Sequence, residues 1–268
     1  MIDNTNFLTG SDNASYHQDR TRESSSGLKM VLKDASAYYK EYVLGQRTEK
    51  PGDFFMEGTL AHSLVLEPHL VASEYAVFTG LRKAGKLWEE FKVDPSNADK
   101  KLVSAVQMLR CQKLAEAHKR SKLASALVNE NGLSEHSMLG EIGGVGVKAR
   151  ADYINVAGGY ILDVKTTSAA TGLEFFQETI NQYSYQLSAA LYAQIAEQTY
   201  GKPFEFYFEV LSKQDQGCAV YRTSEATMQK GREMVRDAIE QLKRCRASGV
   251  WESSKGVSVA EQFEVEEV

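Results

Sequence analysis

The stretch from Lys148 to Thr167 constrains this chain more than any other. Alternating and β-branched residues lead into Ala157-Gly158-Gly159 and away from it again, the pattern of two antiparallel strands joined by a tight turn. Folding the segment about the bond between Ala157 and Gly158 pairs positions whose numbers sum to 315, so Asp152 falls opposite Asp163. Asp163 and Lys165 share one face of the second strand, because successive strand side chains alternate. Like charges directly opposite on a sheet destabilise it by up to roughly 1 kcal/mol. A divalent cation offsets that repulsion best, since carboxylate oxygens are hard ligands suited to Mg²⁺ or Mn²⁺, and such ions polarise phosphoryl groups and activate water. Lys165 would then serve the attacking water or the developing charge. The competing reading is a solvated ladder in which Lys165 neutralises two aspartates, and a slip of one residue in register would part the pair.

Around this hairpin the chain reads as helices, then strands, then helices again. Residues 1–26 are rich in Asn, Asp, Ser and Thr and form an irregular arm. Ser24-Ser25-Ser26 offers an N-cap to a helix carrying Leu28, Val31 and Leu32 and closed by Gly45. A second helix starts near Asp53, carries Leu60, Ala61, Leu64 and Val65, and stops at Pro68. His62 lies in its middle. A histidine among apolar neighbours is more often a packing residue than a ligand, but as a ligand it would complete an imidazole-plus-carboxylate site. Arg82, Lys83 and Lys86 precede Trp88-Glu89-Glu90-Phe91, either a solvated connector or a phosphate-gripping loop. One long helix is expected from Asp99 to Asn129, with His118-Lys119-Arg120-Ser121-Lys122 as a basic turn that is either a solvated face or the border of a DNA path.

Glu135 to Ile142 and Val145 to Ile154 read as strands that join the hairpin in a meander. A helix over 173–199, strands at Phe204–Leu211 and Cys218–Thr223, and an amphipathic helix over 225–247 follow. The organisation expected is an arm over 1–26, one domain over 27–250 and a loose acidic tail over 251–268.

Composition removes several classes. A 43% hydrophobic content is that of a globular chain, and the net charge of −5 argues against a nonspecific nucleic-acid coat, so a polyanion must meet a local patch. Cys111, Cys218 and Cys245 are far apart and form no C-x-x-C, which suggests neither zinc nor disulfides and points to a reducing cytoplasm. No apolar run approaches the roughly 20 residues of a membrane span, and Met1 to Arg22 lacks the apolar core of a signal peptide.

With His62, Asp152, Asp163-Val164-Lys165 and a following helix rich in Tyr and Gln, the order of elements resembles the PD-(D/E)XK nuclease superfamily. Glu57-Gly58-Thr59-Leu60-Ala61-His62, Leu66-Glu67-Pro68, Lys148-x-Arg150-x-Asp152 and Asp163-x-Lys165-Thr166-Thr167 are similar to the exonuclease VIII family of phage and prophage recombination nucleases, over roughly residues 16–223. The resemblance implies an α/β (α+β) restriction-endonuclease-like core, with a central mixed sheet flanked by helices and a helical N-terminal extension. It implies His62, Asp152, Asp163 and the Val164 carbonyl as metal ligands, Lys165 as the catalytic lysine, and Mg²⁺ with Mn²⁺ as substitute. It further implies 5′-to-3′ degradation of linear duplex DNA, a ring-shaped homo-oligomer and a single-strand annealing recombinase as partner, in a bacterial cytoplasm. Two departures stand out: the residue four before Tyr192 is Ser188, where related branches carry Gln, with Gln182 and Gln186 nearby, and the second acid is Asp163 in place of the commoner Glu. Arg82 and Lys86 are the candidates for a terminal phosphate, Lys119, Arg120 and Lys122 for the flanking duplex, and Gln186 and Tyr192 for the attacked strand. Glu89 and Glu135 are further acids within possible reach of the metals. An endonuclease or structure-specific nuclease, and a catalytically silent DNA-binding protein, are the alternatives on the same fold.

Overall fold

The alternation read in the sequence produces a five-stranded sheet in the order β3-β4-β5-β6-β7, made of Leu133–Ile142, Val145–Asn155, Tyr160–Thr167, Glu205–Ser212 and Cys218–Arg222. The structure is a computed structural model and describes residues 16, 18–46 and 52–253. β5 and β6 run parallel and the other pairs antiparallel, so the sheet is mixed. A parallel pair needs a long crossover. Here it is supplied by α8 (Leu173–Gln182) and α9 (Tyr185–Tyr200).

One face of the sheet is covered by α1 (Ser25–Lys33), α9 and α10 (Glu225–Ser248). Leu28 and Val31, Leu187, Leu191 and Ile195, and Val235, Ile239 and Leu242 meet Val147, Phe206 and Phe208 there. α9 and α10 approach so closely that a Cβ on Gly231 would lie 2.0 Å from the Gln186 carbonyl oxygen, and only glycine fits. The opposite face is covered by α3 (Gly52–Leu66) and α6 (Ala105–Arg120), whose Leu60, Ala61, Cys111 and Leu114 pack on Tyr153, Leu162, Val164 and Leu211. α3 carries apolar residues on most of its circumference because it is wedged between α6 and the sheet. Shorter helices are α2 (Ala35–Tyr38) with a following turn of π-helix, α4 (Val71–Glu74), α5 (Lys86–Val93), a turn of 3-10 helix at Pro95–Asn97 and α7 (Lys122–Leu127).

Four expectations are corrected. The first helix, expected to run to Gly45, ends at Lys33, where Asp34 takes an extended backbone and its side chain caps α2 by accepting from the Ala37 N–H. The helix expected from Asp99 to Asn129 is a strand, β2 (Lys101–Ser104), followed by α6 and α7. β2 pairs in parallel with β1 (Tyr75–Phe78). Ser104 and Gln107 form a reciprocal capping box at the start of α6, and that S-x-x-Q was the signal for a boundary within the periodic stretch. The helix over 173–199 is broken at Ser184, which takes a left-handed conformation (φ 51°) and separates α8 from α9. His118 is not part of a solvated turn: it is buried, and its Nδ1 lies 2.8 Å from Oε1 of the fully buried Glu209.

Most of the expected arm and tail falls outside the described residues. What is described is packed. Lys148 donates through Nζ to the carbonyls of Tyr16 and Asp19, and Glu23 bridges to Val147 beside β4. Trp251 stacks on Tyr38 and Tyr39 at 5.6 and 5.2 Å between ring centroids. Among the described residues no helix is long and apolar enough to cross a membrane.

Candidate active site

The hairpin has the register read from the sequence, yet its ladder is short. Tyr153–Leu162, Ile154–Ile161 and Asn155–Tyr160 pair, and the ladder ends one step before Asp152 and Asp163. From there β4 leaves β5. The Gly146 carbonyl and Lys148 N–H, on the edge of β4 that β5 has left, bond instead to Glu23. Asp152 stands at the fork, and its Oδ2 accepts from the Val164 N–H at 2.7 Å, so a side chain replaces the missing ladder bond. The pleat also changes there. Ala149 and Ala151 pack on one side of the sheet and Tyr153 on the other, where strict alternation would have kept all three together. Glu135, across from Asp152 on β3 by the register of its neighbours, takes a left-handed backbone (φ 49°). For a residue with a side chain that conformation costs on the order of 1–3 kcal/mol, and it clusters at functional sites.

These distortions bring three donors together. His62 from α3, Glu135 and Asp152 each offer a ligand atom, all within 4.8 Å of one another, and His62 Nδ1 is 3.5 Å from Asp152 Oδ2. Two hard carboxylates with one imidazole suit a divalent cation. The electrostatics agree: burial, with Asp163 and Glu135 adding to it against His62 and Lys165, pushes the Asp152 carboxyl up to about 6. A bound cation would relieve that penalty, so the residues present fit a metal. Arg150 Nε donates to Glu135 at 2.8 Å and fixes its orientation.

Asp163 lies one strand further on, buried, with the Lys165 ammonium against its Oδ2. It is not one of the three grouped donors. Burial works against the charge of Lys165, but Asp163 and Asp152 outweigh it and hold its pKa above the ordinary lysine value. Lys165 therefore stays protonated at neutral pH. The fork opens on a cavity of about 1220 Å³ whose wall includes His62, Glu135, Asp152, Val164, Lys165 and Tyr192. Burial, followed by Asp163, raises the pKa of the Tyr192 phenol.

The remaining candidates lie elsewhere. Gln186 is buried in α9, its Oε1 without a hydrogen-bond partner among the described residues, and is not part of the cavity wall. Arg82, Lys86, Lys119, Arg120 and Lys122 are not in that wall either. Lys86 is 3.7 Å from Glu90, Lys119 pairs with Glu116 at 2.9 Å, and Arg120 donates to the Gln216 carbonyl at 3.2 Å. Glu89 pairs with Lys92 at 2.7 Å on α5, apart from the donors. Sequence reasoning named Arg150 within Lys148-x-Arg150-x-Asp152 but gave it no role at the site. It passed over Lys29 and Tyr185, which no local pattern links to the hairpin.

Over residues 24–259 the sequence matches the family described as PDDEXK-like domain of unknown function (DUF3799). The chain belongs to this family. The DUF3799 match and the mixed sheet flanked by helices agree with the nuclease-type core that the sequence resemblance implied. The crystal structure of a candidate exonuclease from Eubacterium rectale superposes with a TM-score of 0.67 at 17% identity, covering 92% of this chain and 90% of that one, which shows a shared fold. A crystal structure of a protein named SSO0001 aligns at 14% identity over 85% of this chain and 79% of that one, with a TM-score of 0.36. No curated protein matches the chain.

Proposed function

We propose that this DUF3799 protein is a divalent-metal-dependent exodeoxyribonuclease that degrades linear duplex DNA from 5′ ends, leaving 3′ single-stranded overhangs. One observation carries the reading: His62, Glu135 and Asp152 converge at a strand fork beside a Lys165 that is held protonated, on the wall of a cavity of about 1220 Å³. Polarity, and a role in phage-type recombination with an annealing recombinase and a ring-shaped assembly, rest on the resemblance to the exonuclease VIII family.

His62, Glu135 and Asp152 would hold the cation, with Asp163 and the Val164 carbonyl as the further ligands that the resemblance implies. When bound, Mg²⁺ supplies Lewis-acid polarisation of the phosphoryl oxygen and a lowered pKa for water. Hydrolysis adds water across a P–O3′ bond and leaves a 5′-phosphate and a 3′-hydroxyl. Lys165 opposes the negative charge that develops on the phosphoryl oxygens. Its ammonium is already fixed by Asp163, so little reorganisation is needed as that charge grows. Asp152 keeps the fork in place through Val164, and Arg150 keeps Glu135 turned to the site. Arg82 and Lys86, and Lys119, Arg120 and Lys122, are the candidates for contacts to duplex beyond the cavity.

The test is Mg²⁺-dependent degradation of linear duplex labelled separately at its 5′ and 3′ ends, with a closed circular duplex alongside. Early release of the 5′ label from linear DNA alone is expected. Cutting of the circle would point to an endonuclease, and no cutting under Mg²⁺ or Mn²⁺ would refute the nuclease reading.

A further inference from the structure

Lys29 stands apart from the other cations near the fork. It projects from α1, between the buried Leu28 and the half-buried Met30, and is part of the cavity wall. Its Nζ lies 5.3 Å from the ring centroid of Tyr185, and the Lys165 Nζ lies 5.2 Å from the same centroid. Two ammonium groups therefore share one aromatic ring. Lys165 has Asp163 as its counter-ion and Arg150 has Glu135. Lys29 has no hydrogen bond or ion pair among the described residues, only the Tyr185 ring. Burial, then repulsion from Lys165, lowers its pKa to about 8 in spite of Asp163.

An ammonium in that position has a structural explanation only if something nearby repays its desolvation. A cation over an aromatic face contributes roughly 0.5–2 kcal/mol, and here the ring is already shared. The local charges make the need explicit. Glu135, Asp152 and Asp163 are matched by Arg150, Lys165 and Lys29 while no cation is bound. Once the carboxylates hold a divalent ion, the same wall carries an excess of positive charge, and an anion must enter to balance it. A polyanionic strand passing Tyr185 along this wall could offer one phosphate to Lys165 and a neighbouring one to Lys29.

We infer that Lys29 is a phosphate-binding residue of this site, taking a backbone phosphate of the bound DNA strand beside the one that faces Lys165. The inference rests on the nuclease reading for its substrate class, a phosphodiester chain. It adds that α1, an element outside the hairpin and α3, supplies part of the binding energy. Lys29 positions the strand and takes no part in bond breaking.

The experiment compares wild type, Lys29→Gln, Lys29→Met and Lys29→Arg. Fluorescence anisotropy with a linear duplex in Ca²⁺, a divalent ion that oxygen-rich sites hold, measures Kd across a series of salt concentrations, and steady-state cleavage in Mg²⁺ measures KM and kcat. Lys29→Met keeps the apolar stem over Tyr185, and thermal melts confirm folding of each variant. Loss of one charge-assisted contact should raise Kd about tenfold or more in the Gln and Met variants. The slope of log K against log salt should shrink by about 0.9 for duplex. Lys29→Arg should restore both, and KM should move more than kcat. Inorganic phosphate is added as competitor: weaker competition against the Gln variant than against wild type is expected, and strong competition with no DNA effect would assign Lys29 to free phosphate and overturn the inference. Unchanged Kd and slope in folded Gln and Met variants of a wild type that cleaves DNA overturn the role of Lys29 and leave the nuclease reading standing. A wild type that binds duplex without cleaving it removes the nuclease reading, while the Kd and slope comparison still decides for or against Lys29. A wild type that binds no duplex overturns both.

Discussion

Substituting Asp152 by Asn should make the metal-free protein more stable and deprive it of its response to metal. The carboxyl of Asp152 stands at about 6 against an ordinary 3.8, because it is buried beside Asp163 and Glu135 and only partly relieved by His62 and Lys165. A rise of that size corresponds to roughly 3 kcal/mol of penalty on the ionised form. Asparagine removes the charge but keeps a carbonyl oxygen that can accept from the Val164 N–H, so the bond across the fork survives. For a chain of this size about 3 kcal/mol is worth on the order of 5–10 °C in Tm. The sign fixes the pH window. A carboxyl raised in the folded state carries its full penalty above about 6 and none below the ordinary 3.8, where it is protonated both folded and unfolded. The gain of Asp152→Asn over wild type in EDTA should therefore be largest at neutral pH and vanish near pH 4.

Thermal melts of both proteins across that range, with and without Mn²⁺, provide the assay. Bound metal stabilises the native state by RT ln(1 + [L]/Kd), about 2.7 kcal/mol at a hundredfold excess over Kd, so Mn²⁺ should raise the wild-type Tm and leave the variant where it was. An Asp152→Asn protein less stable than wild type in EDTA at neutral pH would refute the reasoning that this carboxylate is held against repulsion to receive a cation. Equal stabilisation of both proteins by Mn²⁺ would refute Asp152 as a ligand.

Asp163→Ala and Lys165→Ala should each lower cleavage by on the order of 10²-fold or more with the fold retained, and more than about a tenth of wild-type activity in both would count against their assignment. Gly231→Ala should destabilise the protein by about 1–3 kcal/mol or more, because the added methyl meets the Gln186 carbonyl at 2.0 Å; a chemical denaturation midpoint within error of wild type would show that α9 and α10 part freely. Burial, then Glu57 for Cys111 and Glu209 for Cys218, pushes both thiols up to about 12, so native protein at pH 8 should resist iodoacetamide at these positions until denaturant is added; rapid labelling of either by mass spectrometry contradicts the packing described.

Much of the fold was legible because the hairpin fixes its own register. The turn at Ala157-Gly158-Gly159 allows little freedom, and the pairing about 315 held in each of the three pairs formed. Element types were readable where one period ran uninterrupted, as in Val145–Asn155 and Glu225–Ser248. They failed where two elements abut without a Gly or Pro. Lys101–Ser104 was absorbed into a helix because Leu102 and Val103 continue the apolar spacing of α6, and the capping box at Ser104 was the sole boundary mark. The break at Ser184 had less to announce it, since serine has no strong preference for the left-handed conformation it takes.

The site was half legible for a different reason. Pairing rules place Asp152 against Asp163, and had the ladder continued, two aspartates and a lysine would have lain on an ordinary sheet face with no room for a substrate. The strands part at that row instead, Asp152 turns into the gap to bond Val164, and the partner that joins it and His62 is Glu135 from the other side. No strand pattern shows a fork, because a fork is set by what fills it: Glu23 takes over the edge of β4 from a segment more than 120 residues earlier, tied down by Lys148 and by Arg246 of α10 at 2.6 Å. Distance along the chain explains why Lys29 went unnoticed. It meets the Tyr185 ring, which Lys165 also faces, only in the folded chain and across more than 150 residues of sequence. The residues that create the space, Glu23, Lys148 and Glu135, therefore matter to this site as much as those that line it. Lys148→Met leaves every metal donor in place but removes the bonds to the Tyr16 and Asp19 carbonyls, so it should weaken duplex binding and Mn²⁺ affinity together; anisotropy and Mn²⁺ titrations of the folded variant that both match wild type would show that this segment does not support the site.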